Sequence, residues 1–234
     1  MSIKGSMKVF QGFTLAEILI TLVIIGVVAA ITLPTLMQNY QKHVTVNRLK
    51  QTYSILEQAV KMSEIDNGYV SEWDYDINGE EFYSKYIKNY LKDVKSENLM
   101  IKSRNIQYNN AAGVLVNDMI FSDSYNVILS NGTLLSFGTG AEGYKPLGID
   151  LNGTAAPNKV GRDWFLFLIN KDGGLMPWGY GNYLYGLGKN PQRADILQNV
   201  NYGCSNSSSI SRAGFYCALL IMYDGWKLAP EYPW

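Results

Sequence analysis

The alternation of apolar and polar positions changes character twice along this chain. From Ile18 to Leu33 no residue is charged, and only Thr21 and Thr32 carry polar side chains. Extended back to Phe13, the segment has 21 residues. As a helix it reaches about 30 Å, the thickness of a bilayer's hydrocarbon core. Its Ile and Val content would suit a strand in water, but in lipid only a helix satisfies every backbone group within one segment. After Pro34 the pattern turns amphipathic. Val46, Leu49, Tyr53, Leu56 and Val60 step by 3, 4, 3 and 4, one stripe of a helix, with Leu36 and Tyr40 starting a similar one. Asp66-Asn67-Gly68 supplies a stop. Residues 13–65 are therefore predicted as one long helix, kinked or locally melted at Pro34, where proline lacks the N–H and clashes with the preceding turn.

Residues 66–234 contain no long apolar run and read as a head. Phe82, Tyr86, Tyr90 and Val94 at steps of four predict a short helix over 81–96. Residues 119–121, Tyr125 to Leu129, Thr133 to Phe137 and Arg162 to Asn170 read as strands, the middle two joined by the turn Ser130-Asn131-Gly132. The expected class is α+β: the upper half of a long helix packed on an antiparallel sheet, with long C-terminal loops after it. The aromatic, proline-stiffened tail from Asp224 to Trp234 is expected to pack back onto the head.

Composition removes several functions. Twenty Lys and Arg against twenty Asp and Glu leave no net field, and no basic cluster invites nucleic acid. One His and two Cys exclude a His-rich metal centre and a four-thiolate zinc site; His43, alone on the long helix, reads as solvent-facing or neighbour-contacting rather than catalytic. Gly138 to Gly143 spells G-x-G-x-x-G, but Tyr144-Lys145-Pro146 follows instead of a helix, so no dinucleotide site is expected. No nucleophile elbow or phosphate loop occurs. The chain is not read as an enzyme.

Lys4 and Lys8 form a basic lead that belongs on the cytoplasmic side, which places the rest across the membrane. Glu17 does not suit a plain anchor, because a carboxylate at depth in a bilayer costs a few kcal/mol at least and such residues usually have a partner. Were the chain cut after Gly12, the new amine at Phe13 would lie one turn from Glu17. Gly12-Phe13-Thr14-Leu15-x-Glu17 directly before an apolar run resembles the prepilin signal of type IV pilins, minor pilins and the pseudopilins of type II secretion. Gly26 and Pro34 match further pilin-helix positions.

The resemblance implies a leader of residues 1–12, a transmembrane half-helix at 13–33, an amphipathic half-helix at 34–65 and a periplasmic or extracellular head at 66–234. It implies cleavage between Gly12 and Phe13 by a prepilin peptidase, methylation of the Phe13 amine, and pairing of Glu17 with a neighbouring subunit's N-terminus. The implied course is insertion in the bacterial inner membrane, N-terminus cytoplasmic, then transfer through an assembly platform into a filament of like subunits. A secretory signal cut near Val28-Ala29-Ala30 and an uncleaved anchor remain alternatives. So do a tip-located binding module using Trp178 to Tyr185 and the tail, and a membrane-anchored enzyme.

Two features of the head are singled out. An exported head meets oxidising conditions, so Cys204 and Cys217 are expected to close a loop; many pilins carry such a C-terminal disulfide, and two free buried thiols are the alternative. Gly148 to Gly153, Pro157-Asn158, Gly161 and Asp163 resemble a segment of pilin-like proteins. There Asp150, Asn152, Asn158 and Asp163 offer hard oxygen donors of the kind calcium takes, and some pseudopilins hold calcium in a loop after the sheet. An EF-hand is not matched, since Gly161 stands where its final Glu would be. The alternative is a loop built by Asx turns, Pro and Gly.

Overall fold

The computed structural model describes residues 12–97, 107–116, 124–140, 143–206 and 210–234. The expected strand at 119–121 and most of the leader lie outside them. The chain divides into two units, Met1–Lys42 and His43–Trp234.

Helix α1 is Leu15–Asn67, and its residues to Lys42 belong to the first unit. There the large apolar side chains from Phe13 to Tyr40 are exposed. The helix runs unbroken past Pro34, so the local melting expected there does not occur. Proline removes one N–H and hence one rung. In the turn before it the Thr32 hydroxyl donates to the Val28 carbonyl (2.9 Å).

In the second unit the same helix has a buried face. Val46, Leu49, Leu56 and Val60 are buried as the stripe requires, with Tyr53 partly so. Thr52, Ala59 and Ser63 are buried too, small residues that let the backbone approach the sheet. Gly68 ends the helix at φ +78°, the left-handed conformation glycine adopts without a Cβ penalty.

Six strands form one antiparallel sheet in chain order: β1 Val94–Glu97, β2 Tyr125–Leu129, β3 Leu134–Phe137, β4 Tyr144–Asp150, β5 Trp164–Asn170 and β6 Gly174–Pro177. Strands β4 and β5 are buried along their whole length because both faces are covered. The Phe167 ring meets Tyr53 of α1 at 5.8 Å, while Trp164, on the opposite face by the two-residue period, meets Phe215 at 6.4 Å. Phe215 leads into a C-terminal helix at Cys217–Tyr223, which a shorter one at Arg193–Gln198 precedes.

Three differences from the sequence pattern stand out. The helix expected over 81–96 is only a turn, α2 at Gly79–Phe82, followed by a wider turn at Tyr83–Ile87, where the Lys88 N–H reaches back five residues to the Tyr83 carbonyl at 2.8 Å. Phe82, Tyr83, Tyr86 and Ile87 all point inward across that widening, and Val94 begins β1 instead of extending the helix. Strand β4 breaks the apolar alternation with Lys145, Pro146 and Gly148. Lys145 is fully buried, yet its ammonium donates to the carbonyls of Tyr75 (2.9 Å) and Ile77. Burial lowers its pKa to about 8. Finally, β6, a strand the sequence pattern did not indicate, follows the turn at Lys171 to Gly173. The two C-terminal helices are α3 (Arg193–Gln198) and α4 (Cys217–Tyr223) from here on.

Candidate functional site

Within the first unit, Gly12 has open space where a Cβ would stand, and Phe13 is 86% exposed. Glu17 has a partner that the sequence reading missed. Its carboxylate accepts from the Thr14 N–H and the Thr14 hydroxyl, both at 2.8 Å, while the Thr14 hydroxyl oxygen accepts from the Glu17 N–H at 3.2 Å. This reciprocal pair satisfies two backbone donors at the helix start, and its signal, Thr-x-x-Glu before an apolar run, stood in the sequence. Glu17 therefore has neutral hydrogen-bond donors within its own helix, whether or not an amine reaches it.

The loop between β4 and β5 brings the four proposed oxygen donors into one short segment. Asp150 closes β4 and pairs in register with Trp164, so Asp163 lies beside it. Both aspartates are buried. The Asp150 carboxylate accepts from the Tyr108 hydroxyl at 3.0 Å and the Asn152 N–H at 3.1 Å. The Asp163 carboxylate accepts from the N–H groups of Asn158 (2.8 Å) and Lys159. These are the bonds of an Asx-built loop. Burial first, then the charge of Asp163, pushes the Asp150 carboxyl up to about 8. Burial likewise raises Asp163, against the pull of its N–H donors.

The amide oxygens of Asn152 and Asn158 are buried with no hydrogen-bond partner. The loop thus holds more acceptors than donors, a condition a hard cation would relieve. Among the described residues no three His, Cys, Asp or Glu side chains group around one point, so a cation here would rest on two carboxylates plus amide and carbonyl oxygens. Nothing in the loop pairs a nucleophile with a base.

Two C-terminal features converge on the far end of that loop. Cys204 and Cys217 form the expected disulfide, their Cα atoms 4.7 Å apart. Gly161, at φ +81°, lies so close that a Cβ there would stand 2.7 Å from the Cys217 sulfur. The Tyr232 hydroxyl donates to the Gly161 carbonyl, and Tyr232 is buried. The tail does pack back: Arg193 bridges Asp224 (2.7 Å) and Glu231, both carboxylates being held by one guanidinium. Trp178, offered as a recognition residue in the tip-module alternative, is instead fully buried among Tyr144, Tyr183, Tyr185 and Phe215.

Residues 7–33 match the prokaryotic N-terminal methylation motif, the leader signature of type IV pilins and pseudopilins. Joined to a long apolar helix, a six-stranded antiparallel sheet and a C-terminal disulfide, that motif defines a pilin-like α+β protein. The chain belongs to a family described as Family of unknown function (DUF6613), which matches residues 35–234. No curated protein and no solved structure matches the chain. Among the described residues one helix is long and apolar enough to cross a membrane, which fits a single-pass anchor.

Proposed function

We propose that this protein is a structural subunit of a type IV pilus or a type II secretion pseudopilus. In this reading the chain is made as a prepilin, cut after Gly12 by a prepilin peptidase and methylated at Phe13. It waits in the inner membrane with its head outside, and is then drawn through the assembly platform into a filament. The observation that carries the proposal is an apolar helix segment with its large side chains exposed all round, most of it within a methylation-motif match at residues 7–33. Such a surface needs lipid or copies of itself, and exchanging one for the other is nearly neutral in free energy.

Register then depends on Glu17. Its carboxylate keeps lone pairs beyond those Thr14 fills, so a neighbour's Phe13 amine can add to the pair, and an unpaired buried charge is penalised far more than a paired one. The chemistry is done to the chain at Gly12 and Phe13 rather than by it. The test is N-terminal sequencing of protein from its native host, with assembly of Glu17→Ala followed alongside. The mature chain is expected to begin at Phe13, and the variant to be processed but poorly incorporated. A start at Ile31 or at the initiator region rejects processing, and normal filaments from the variant reject the register role.

Calcium in the β4–β5 loop is proposed as an accessory to the head, held by Asp150, Asp163, Asn152 and Asn158. The two orphaned amide oxygens support it. Calorimetric titration of the full chain in detergent, with no heat at millimolar calcium, would remove the idea.

A further inference from the structure

A cavity of about 720 Å³ lies against β6, within the second unit. Such a volume is in the range of small-ligand sites. We infer that it is a binding site for a short, uncharged oligosaccharide, a function beyond filament formation and independent of it.

The chemistry of the lining carries the assignment. Tyr180 and Tyr223 line it with aromatic side chains, and Leu175 and Met176 of β6 add apolar surface. Asn182 and Asn190 are exposed at the rim. Each amide has both a donor and an acceptor, and so does each sugar hydroxyl. The C–H face of a pyranose ring is apolar and stacks on an aromatic ring while its hydroxyls point sideways to such amides. Charge is balanced at the site, Asp172 against Lys189, so neither a phosphate nor a sulfated or sialylated chain finds a cationic cluster.

The frame is built in advance of any ligand. Gly181 and Gly188 exchange two backbone hydrogen bonds, at 3.0 and 3.1 Å, and hold the Asn182 loop closed. The segment carrying Asn190 runs directly into α3, which Arg193 ties to Asp224. A preformed site spends little binding energy on ordering itself.

A peptide adding as a seventh strand is the rival occupant, and the edge of β6 excludes it. The Trp178 N–H bonds to the Leu166 carbonyl of β5 (3.0 Å), so by alternation the backbone groups of Leu175 and Pro177 face outward. Pro177 has no N–H, and the Leu175 carbonyl already accepts from the Tyr53 hydroxyl at 3.4 Å. One remaining N–H cannot support a ladder.

The experiment uses the full chain in detergent micelles on a printed array of neutral, sialylated and sulfated glycans, followed by calorimetric titration of the strongest binder. Expected is a neutral glycan bound at millimolar concentration or tighter. Tyr223→Ala and Asn190→Ala should each weaken it tenfold or more, while Tyr69→Ala, an exposed tyrosine outside the cavity, should leave it unchanged. Unaltered melting temperature and an intact disulfide show that the variants fold. No binding to any neutral glycan, binding only to charged ones, or binding indifferent to both cavity variants overturns the assignment. A cleavage site other than Gly12/Phe13 would reject the filament reading and leave this one standing.

Discussion

Two stretches of one helix, residues 15–42 and 43–67, meet opposite fates. In the second, apolar residues recur every three or four positions and are buried by β-strands of the same chain. In the first, apolar residues surround the helix and none of the large ones is buried. A stripe carries the instruction to fold against a specific face, whereas an all-round coat asks only for an apolar medium. The difference separates what stabilises the head from what places the protein.

The largest expected effect tests that separation directly. Leu56→Ala should cost about 2–5 kcal/mol in urea unfolding of the head, the usual range for emptying a packed leucine site. Ile24→Ala in micelles should leave the same transition unmoved. Equal effects, or none from Leu56→Ala, would break the comparison. Next comes the disulfide, which belongs to the head alone: replacing both Cys204 and Cys217 with Ser should lower head stability by about 3 kcal/mol, as expected for a loop of this size.

A pH series sharpens the picture inside the head. The Asp150 carboxyl is raised in the folded state to about 8, so its contribution is fully present below its ordinary range near 4 and is lost as pH rises through 8. Lys145 is lowered to about 8 from 10.5, so stability rises again between those values. Together these groups place a stability minimum near pH 8 in chelator-treated protein. The slope on the acid side is at most about 1.4 kcal/mol per pH unit for each group. Asp150→Asn should flatten that side, and if calcium occupies the loop its addition should do the same. A melting temperature flat from pH 5 to 8 would contradict the burial of Asp150. The smallest effect returns to the first stretch. Thr14→Ala removes a reciprocal cap worth about 1 kcal/mol, so amides at 15–18 should exchange faster in micelles with no change in the head.

How much of this could be read from the sequence varies with the physics involved. The long helix was legible because its period persists over many turns, and so was the hairpin at Ser130 to Gly132, because Gly132 takes φ +87° as such turns require. Strand β4 was not, since its pattern is interrupted by a buried lysine whose partners, the Tyr75 and Ile77 carbonyls, are some seventy positions away. The helix at 81–96 misled because a single widened turn shifts every later position, which propensity does not register. At the candidate sites, Gly12, Phe13 and Glu17 were singled out through a resemblance, the Thr14 cap was overlooked despite its local signal, and the loop oxygens were singled out through a second resemblance and their donor chemistry. Tyr108, which bonds Asp150, is separated from it by 42 positions and left no local trace. The cavity against β6 joins the segment of Tyr180 and Asn190 to Tyr223, more than thirty positions further on, which only the fold brings together.

Pro177 also bears on how many such heads can stand side by side. Identical domains held at high local concentration risk zipping their sheets into continuous cross-β ribbons, a route to irreversible fibre tangles. A terminal strand that lacks one donor and has a neighbouring acceptor already engaged offers no template for that runaway pairing, which leaves crowded copies free to dissociate as folded units.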